Sequence, residues 1–145
     1  MAKTIKSKSE LEKVMLHDAM TGLTNELAER VYETLNYFLQ EYYNVYQPRS
    51  YRRTMDFLYS AVKTDAEVVG NKVTAFVYID LNALDNYDIS GEQVVDWANQ
   101  GLHGGLDVGD SPRVWDETIE NTIESGELLK LAAQYLRNKG FRVKV

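Results

Sequence analysis

The stretch Val62-Lys63-Thr64-Asp65-Ala66-Glu67-Val68-Val69-Gly70-Asn71-Lys72-Val73-Thr74-Ala75-Phe76-Val77-Tyr78-Ile79 decides the fold. Gly70-Asn71 is a two-residue turn signal between two β-rich runs, which reads as a hairpin. Closing the turn there pairs Val68 with Val73, Ala66 with Ala75, Thr64 with Val77 and Val62 with Ile79. All of these fall on one face, and all but Thr64 are apolar. The other face collects Lys63, Asp65, Glu67, Lys72, Thr74, Phe76 and Tyr78. A one-residue slip would turn every side chain over, so the pattern specifies a register as well as a strand pair.

Upstream, the spacing predicts a long amphipathic helix. Ser9-x-x-Glu12 and, two residues earlier, Ser7-x-x-Glu10 are competing capping boxes for its start. Leu11, Val14/Met15 and Ala19, then Leu23, Leu27, Val31, Leu35, Phe38 and Tyr42, recur in steps of three and four. Gly22 is expected to kink or split this helix, since glycine in a helix interior costs ~1 kcal/mol relative to alanine. Its end is expected near Val45, because Gln47 precedes Pro48 and is pushed out of helical geometry.

Downstream, Ser90-x-x-Gln93 caps a short helix through Val94, Val95 and Ala98 that Gly101 ends. Gly101-Leu102-His103-Gly104-Gly105 reads as a mobile loop. Ser111-Pro112 reads as the cap and first position of a third helix carrying Trp115, Ile119, Ile123, Leu128/Leu129, Ala132, Tyr135 and Leu136. That helix has a break signal at Ser125-Gly126 and an end at Gly140. Phe141, Val143 and Val145 alternate with Arg142 and Lys144, the period of a further strand. The expected fold class is α+β: a small antiparallel sheet, made of the central hairpin plus a C-terminal strand, packed against long N-terminal and C-terminal helices. Residues 1–145 are expected to form a single domain with a flexible N-terminus over residues 1–8.

At 145 residues, the chain can bury roughly two-thirds of its unfolded surface. It has no cysteine, which excludes disulfides, thiol nucleophiles and thiolate metal sites and suits a reducing compartment. Lys3, Lys6 and Lys8 are not followed by the apolar run of a signal peptide, and no run has the length to cross a bilayer, so no membrane partner is expected. Charge is unevenly divided. Asp80 to Glu127 holds twelve acids against the single base Arg113, whereas from Lys130 onward there are five bases and no acid. Such complementary runs favour association between copies, and the acidic centre argues against nucleic acid as the main partner.

Chemistry is sparse. His17 lies beside Asp18 on the first helix and reads as a surface residue. His103 has no serine or carboxylate at a recognised motif spacing. The glycine loop lacks the Lys-Ser/Thr that closes a phosphate-binding loop. Asp80, Asp85 and Asp88 could ligate a hard cation, but they lack the alternating spacing and central glycine of a calcium loop, and aspartate is also a turn former. No cofactor and no enzymatic activity are expected. Aromatics are the richest feature: Tyr32, Tyr37, Phe38, Tyr42, Tyr43, Tyr46, Tyr51, Phe57 and Tyr59 crowd 28 residues, with Arg49, Arg52 and Arg53 among them. Core packing accounts for Phe38 and Tyr42, and the surplus points to a protein interface, where tyrosine and arginine are enriched. Stacked single-stranded nucleic acid is the other reading of the cluster. The candidate interface residues are Arg49, Tyr51, Arg52, Arg53, Trp97, His103, Lys139, Arg142 and Lys144.

From Tyr46-Gln47-Pro48-Arg49-Ser50-Tyr51-Arg52-Arg53-Thr54-Met55 through Ser60, and again at Val95-Asp96-Trp97-Ala98-Asn99-Gln100-Gly101, the chain resembles the neck and tail-completion proteins of long-tailed bacteriophages. Their pattern is a long helix, a proline, an Arg/Thr-rich turn, a hairpin, a variable loop, a helix and a final strand. The chain departs from it in having no glycine just after the proline. The resemblance implies a structural virion protein at the neck, assembled in the host cytoplasm as a homo-oligomeric ring between connector or adaptor and tail tube. Two other functions fit the residues: a phage inhibitor binding a host protein, and a divalent-metal-dependent hydrolase.

Overall fold

The computed structural model describes residues 6–10, 19–46, 55–84 and 89–144. The earlier capping box forms: the Ser7 hydroxyl accepts from the Glu10 N–H at 3.2 Å, and the Glu10 carboxylate reaches back to the Lys6 N–H at 2.8 Å. Glu12 of the later box lies outside the described residues. Residues 6–10 therefore form a capped, solvent-exposed turn that begins within the segment 1–8 expected to be flexible. The long helix α1 spans Thr21–Asn44. It is not split at Gly22; irregular π-type backbone at Ala19–Met20 comes immediately before it. What Gly22 supplies is room, since a β-carbon there would run into the Tyr135 hydroxyl.

The buried line of α1 is Leu23, Ala28, Leu35, Leu39 and Tyr42, while Leu27, Val31 and Phe38 are only half-buried. The stripe is rotated because two groups of elements cover the helix from different directions. Strands β1 (Ala61–Lys63) and β4 (Val77–Ile79) pack on it, as do helices α3 (Val114–Ile119) and α4 (Glu127–Asn138). Side chains between the two groups are enclosed most completely. Leu35 and Leu39 are wholly buried, each contributing about 1.5–3 kcal/mol. Around them lie Tyr42, Phe57, Ala61, Ile79, Leu84, Ala98 and Val114.

The hairpin forms with a change of register along its length. Strands β2 (Glu67–Val69) and β3 (Lys72–Thr74) close on Gly70-Asn71, with Val68 opposite Val73. Farther from the turn, Ala61 pairs with Ile79, Val62 with Tyr78 and Lys63 with Val77, one residue out of step with the expected Val62–Ile79 pair. The extra residue is absorbed at Thr64–Ala66, facing Ala75–Phe76. There the Thr64 hydroxyl accepts the Phe76 N–H at 2.8 Å and the Asn25 side-chain oxygen of α1 accepts the Ala66 N–H at 2.8 Å. These side chains satisfy amides that the bulge removes from the ladder, which makes the slip affordable. Ala61 and Ile79 consequently face the core, and Val62 and Tyr78 face away. Lys63 comes to the helix side, its ammonium bonded to Glu29 and 5.9 Å from the centroid of the Tyr32 ring. The distal Val68, expected on the buried face, is exposed, as is its neighbour Val69.

Helix α2 (Gly91–Asn99) begins as expected, with the Ser90 hydroxyl accepting the Gln93 N–H. The glycine-rich segment after it is no loose loop. It forms a small hairpin, β5 (Leu102–His103) against β6 (Leu106–Asp107). Ser111 does not cap α3, which is preceded by Arg113 in extended conformation; instead Asn99 of α2 accepts the Asp116 N–H. The buried edge of α3 and the following π turn (Glu120–Glu124) is Val114, Thr118 and Thr122, while Ile119 and Ile123 are exposed. Thr118 and Thr122 donate their hydroxyls to the carbonyls four residues back, at 2.7 Å each, leaving their methyls to pack on α1. The break at Ser125-Gly126 occurs where the sequence places it. Residues 141–144 make no strand, so the sheets are three separate two-stranded pairs among the described residues.

Candidate protein-docking surface

The β2–β3 ribbon extends beyond the β1–β4 pair, and its bulge bends it into an open cleft of about 500 Å³. The cleft is lined by Thr64, Asp65, Glu67, Val69, Lys72, Thr74 and Phe76. Val69 of β2 and Phe76, between β3 and β4, are each 63% exposed there, an unusual outlay of apolar surface. Apart from Thr64 and Val69, these are residues that the alternation places on the polar face. No local pattern announces this cleft, because its curvature comes from the bulge.

Close to the same end of α1 lies the basic cluster. Helix α4 runs back along α1, tied by an Arg30–Glu127 ion pair at 2.6 Å and by Tyr135 over Gly22. It stops at Gly140, whose φ of 93° lets the Phe141 N–H turn back to the Leu136 carbonyl at 3.0 Å. Lys139, Arg142 and Lys144 are all exposed, and the Lys139 ammonium lies 5.5 Å from the Tyr135 ring centroid. Arg137 donates to the Val143 carbonyl at 2.9 Å and holds the segment against its own helix.

The remaining candidates do not join this cluster. His103 is buried, its ring stacked on Tyr42 with centroids 3.9 Å apart and its Nε2 2.9 Å from the Ser111 hydroxyl. Tyr42 also donates its hydroxyl to the Leu102 carbonyl. His103 is therefore a core group fastening the small hairpin to α1, not an idle loop residue or a docking group. Trp97 is half-buried, with its indole beneath Gly105 of the same hairpin. Tyr42 and Gly22 are twenty residues apart on α1, so this corner and the basic cluster are separated by about 30 Å. Arg49, Tyr51, Arg52 and Arg53 lie outside the described residues, as do His17, Asp85 and Asp88.

Electrostatically, the acidic segment is a solvated surface: Glu92, Asp96, Asp107, Asp110, Glu120 and Glu124 are exposed. Among the described residues, Lys63 is the one cation with a marked shift: its hydrogen bond to Glu29 raises its pKa above the ordinary 10.5, against a smaller opposing effect of desolvation. Among the described residues, no group of three or more histidines and carboxylates is placed to hold a metal ion. No helix among them is long and apolar enough to cross a membrane.

The YomN family model matches residues 7–138, from the first capping residue to the last residue of α4. The chain belongs to the YomN family. Membership makes it a phage-related protein. No curated protein and no solved structure matches the chain. The matched span takes in every helix and strand of the YomN fold described above and stops just before Lys139, Arg142 and Lys144.

Proposed function

We propose that this YomN-family protein is a structural virion component, a ring-forming neck or tail-completion protein joining the head connector to the tail. In this reading it has no catalytic role and needs no cofactor; its partners are further copies of itself and the connector and tail-tube proteins on either side. The observation that carries the reading is the surface of the β2–β3 ribbon. Two-thirds-exposed Val69, on a strand pair whose outer edges are unpaired among the described residues, and Phe76, just beyond that pair, stand in a chain whose charges are divided between an acidic centre and a basic end. Exposed apolar groups and open strand edges are liabilities in a free monomer and assets in an assembly. A phage-related family supplies the setting.

The test is genetic and structural together. Phage lacking the gene should accumulate filled heads and finished tails that do not join, and adding the purified protein to that lysate should restore plaque-forming particles. If the lysate instead contains complete particles at normal yield, the neck role is refuted.

A further inference from the structure

Resting on that reading and deepening it, we propose that residues 141–144 of one copy add as a strand to the outer edge of β2 in a second copy. Phe141, Val143 and Val145 alternate with Arg142 and Lys144, which is strand periodicity. Yet residues 141–144 pair with no strand of their own subunit, and Phe141, Arg142 and Lys144 are exposed. The segment has the chemistry of a strand and no sheet.

The β2 edge fits it on three counts. In a two-residue hairpin the residues flanking the turn, Val69 and Lys72, form the hydrogen-bonded pair, as do Glu67 and Thr74 two positions on. The Val68 N–H and C=O therefore point outward from the pair, toward an incoming strand. The Ala66 N–H is already taken by Asn25, which marks where the open edge ends. Second, the side chains match by face: Glu67 and Asp65 line the cleft, so an added strand would set Arg142 and Lys144 beside them and Phe141 and Val143 beside Val68. Third, the alternative edge is wrong in charge, since β3 carries Lys72 on the cleft face. In each subunit Arg137 holds the Val143 carbonyl on α4, a bond that strand addition exchanges for one to the neighbour's β2 edge. Because donor and acceptor surfaces differ, the contact is head to tail and closes into a ring when the rotation permits.

The chain has no cysteine, so single-cysteine variants report the contact cleanly. Full-length Val68→Cys and Val143→Cys proteins, mixed under mild oxidant, should give a disulfide-linked dimer at several-fold the yield of either alone. Adding Arg142→Glu and Lys144→Glu to the donor should lower that yield roughly tenfold, two opposite-charge pairs having become like-charge pairs. Asp65→Lys with Glu67→Lys in the acceptor should restore it. Asp65, Glu67, Val68, Arg142 and Lys144 are exposed and Val143 is half-buried, and unchanged circular dichroism will show that the variants fold. Strand addition is overturned if the mixture gives no more dimer than the single variants, or if charge reversal leaves the yield unchanged. It is equally overturned if the Val68→Cys/Val143→Cys double variant closes only within one chain. Failure here, in a protein that still joins heads to tails, removes the strand contact and leaves the neck role intact; dimer formation without head–tail joining does the reverse.

Discussion

Ala61→Asp and Val62→Asp differ by one position and separate the observed register from the one the alternation suggests. In the structure Ala61 is 9% exposed opposite Ile79, inside the core cluster, whereas Val62 pairs with Tyr78 on the outward face. A carboxyl at position 61 cannot remain ionised among apolar groups. Keeping it neutral at pH 7, when its unfolded pKa is about 3.9, costs ~1.4 kcal/mol per pH unit, or about 4 kcal/mol. At position 62 the loss is the packing of a half-buried valine, about 1 kcal/mol. The ~3 kcal/mol difference corresponds to roughly 10 °C in Tm for a domain of this size. Urea melts at pH 7 and pH 5 provide the assay. The Ala61→Asp deficit should shrink at pH 5, where neutralising the folded carboxyl costs less, and the Val62→Asp deficit should hardly move. If Val62→Asp proves the more damaging, the bulge at Thr64–Ala66 is misplaced and the unbroken hairpin register holds.

Thr118 should tolerate valine and reject leucine. Its hydroxyl is satisfied within its own helix, so Thr118→Val should lie within ~1 kcal/mol of the native protein, while Thr118→Leu overpacks the α1–α3 contact by about 1–3 kcal/mol; chemical denaturation reads both. Lys63→Met should lower the melting point at pH 8, and the gap should close above pH 10.5. A raised lysine pKa stabilises fully below the unfolded value, and the gain is lost as pH rises through the folded one. His103→Ala should cost about 2–3 kcal/mol by removing the ring stacked on Tyr42, and His103→Phe, which keeps a ring there, should recover much of it; thermal melts rank the three proteins.

What was legible in the sequence is what local chemistry controls. The Gly70-Asn71 turn, the Ser90 cap and the Ser125-Gly126 break all appear where short-range signals put them. The errors come from partners distant in the chain. The register changes because Asn25, on α1, takes the Ala66 N–H, and no pattern within the hairpin announces that bond. The buried edge of α3 was misread because threonine scores as polar. Once its hydroxyl bonds the carbonyl a turn back, Thr118 presents a methyl like that of a small apolar residue. His103 had no motif partner, yet Tyr42, from the far end of α1, supplies the ring that buries it. Of the candidate interface residues, Lys139, Arg142 and Lys144 are exposed, as the chemistry of a charged side chain leads one to expect. The cleft beside Glu67 and Phe76 was not legible, because it exists only through the bend. Alternation at Phe141–Val145 predicts a strand, but residues 141–144 form none, because a strand needs a partner and no described strand of the subunit pairs with them.

The central claim is that this YomN-family protein is built into the virion, and locating it on purified particles tests that most directly. Gradient-purified phage, washed at high salt and probed with gold-labelled antibody against the protein, should carry label at the head–tail junction and nowhere else. Quantitative mass spectrometry of the same particles should find a small, fixed number of copies per particle. Particles free of the protein, with all of it recovered in the soluble fraction of the lysate, would contradict the account.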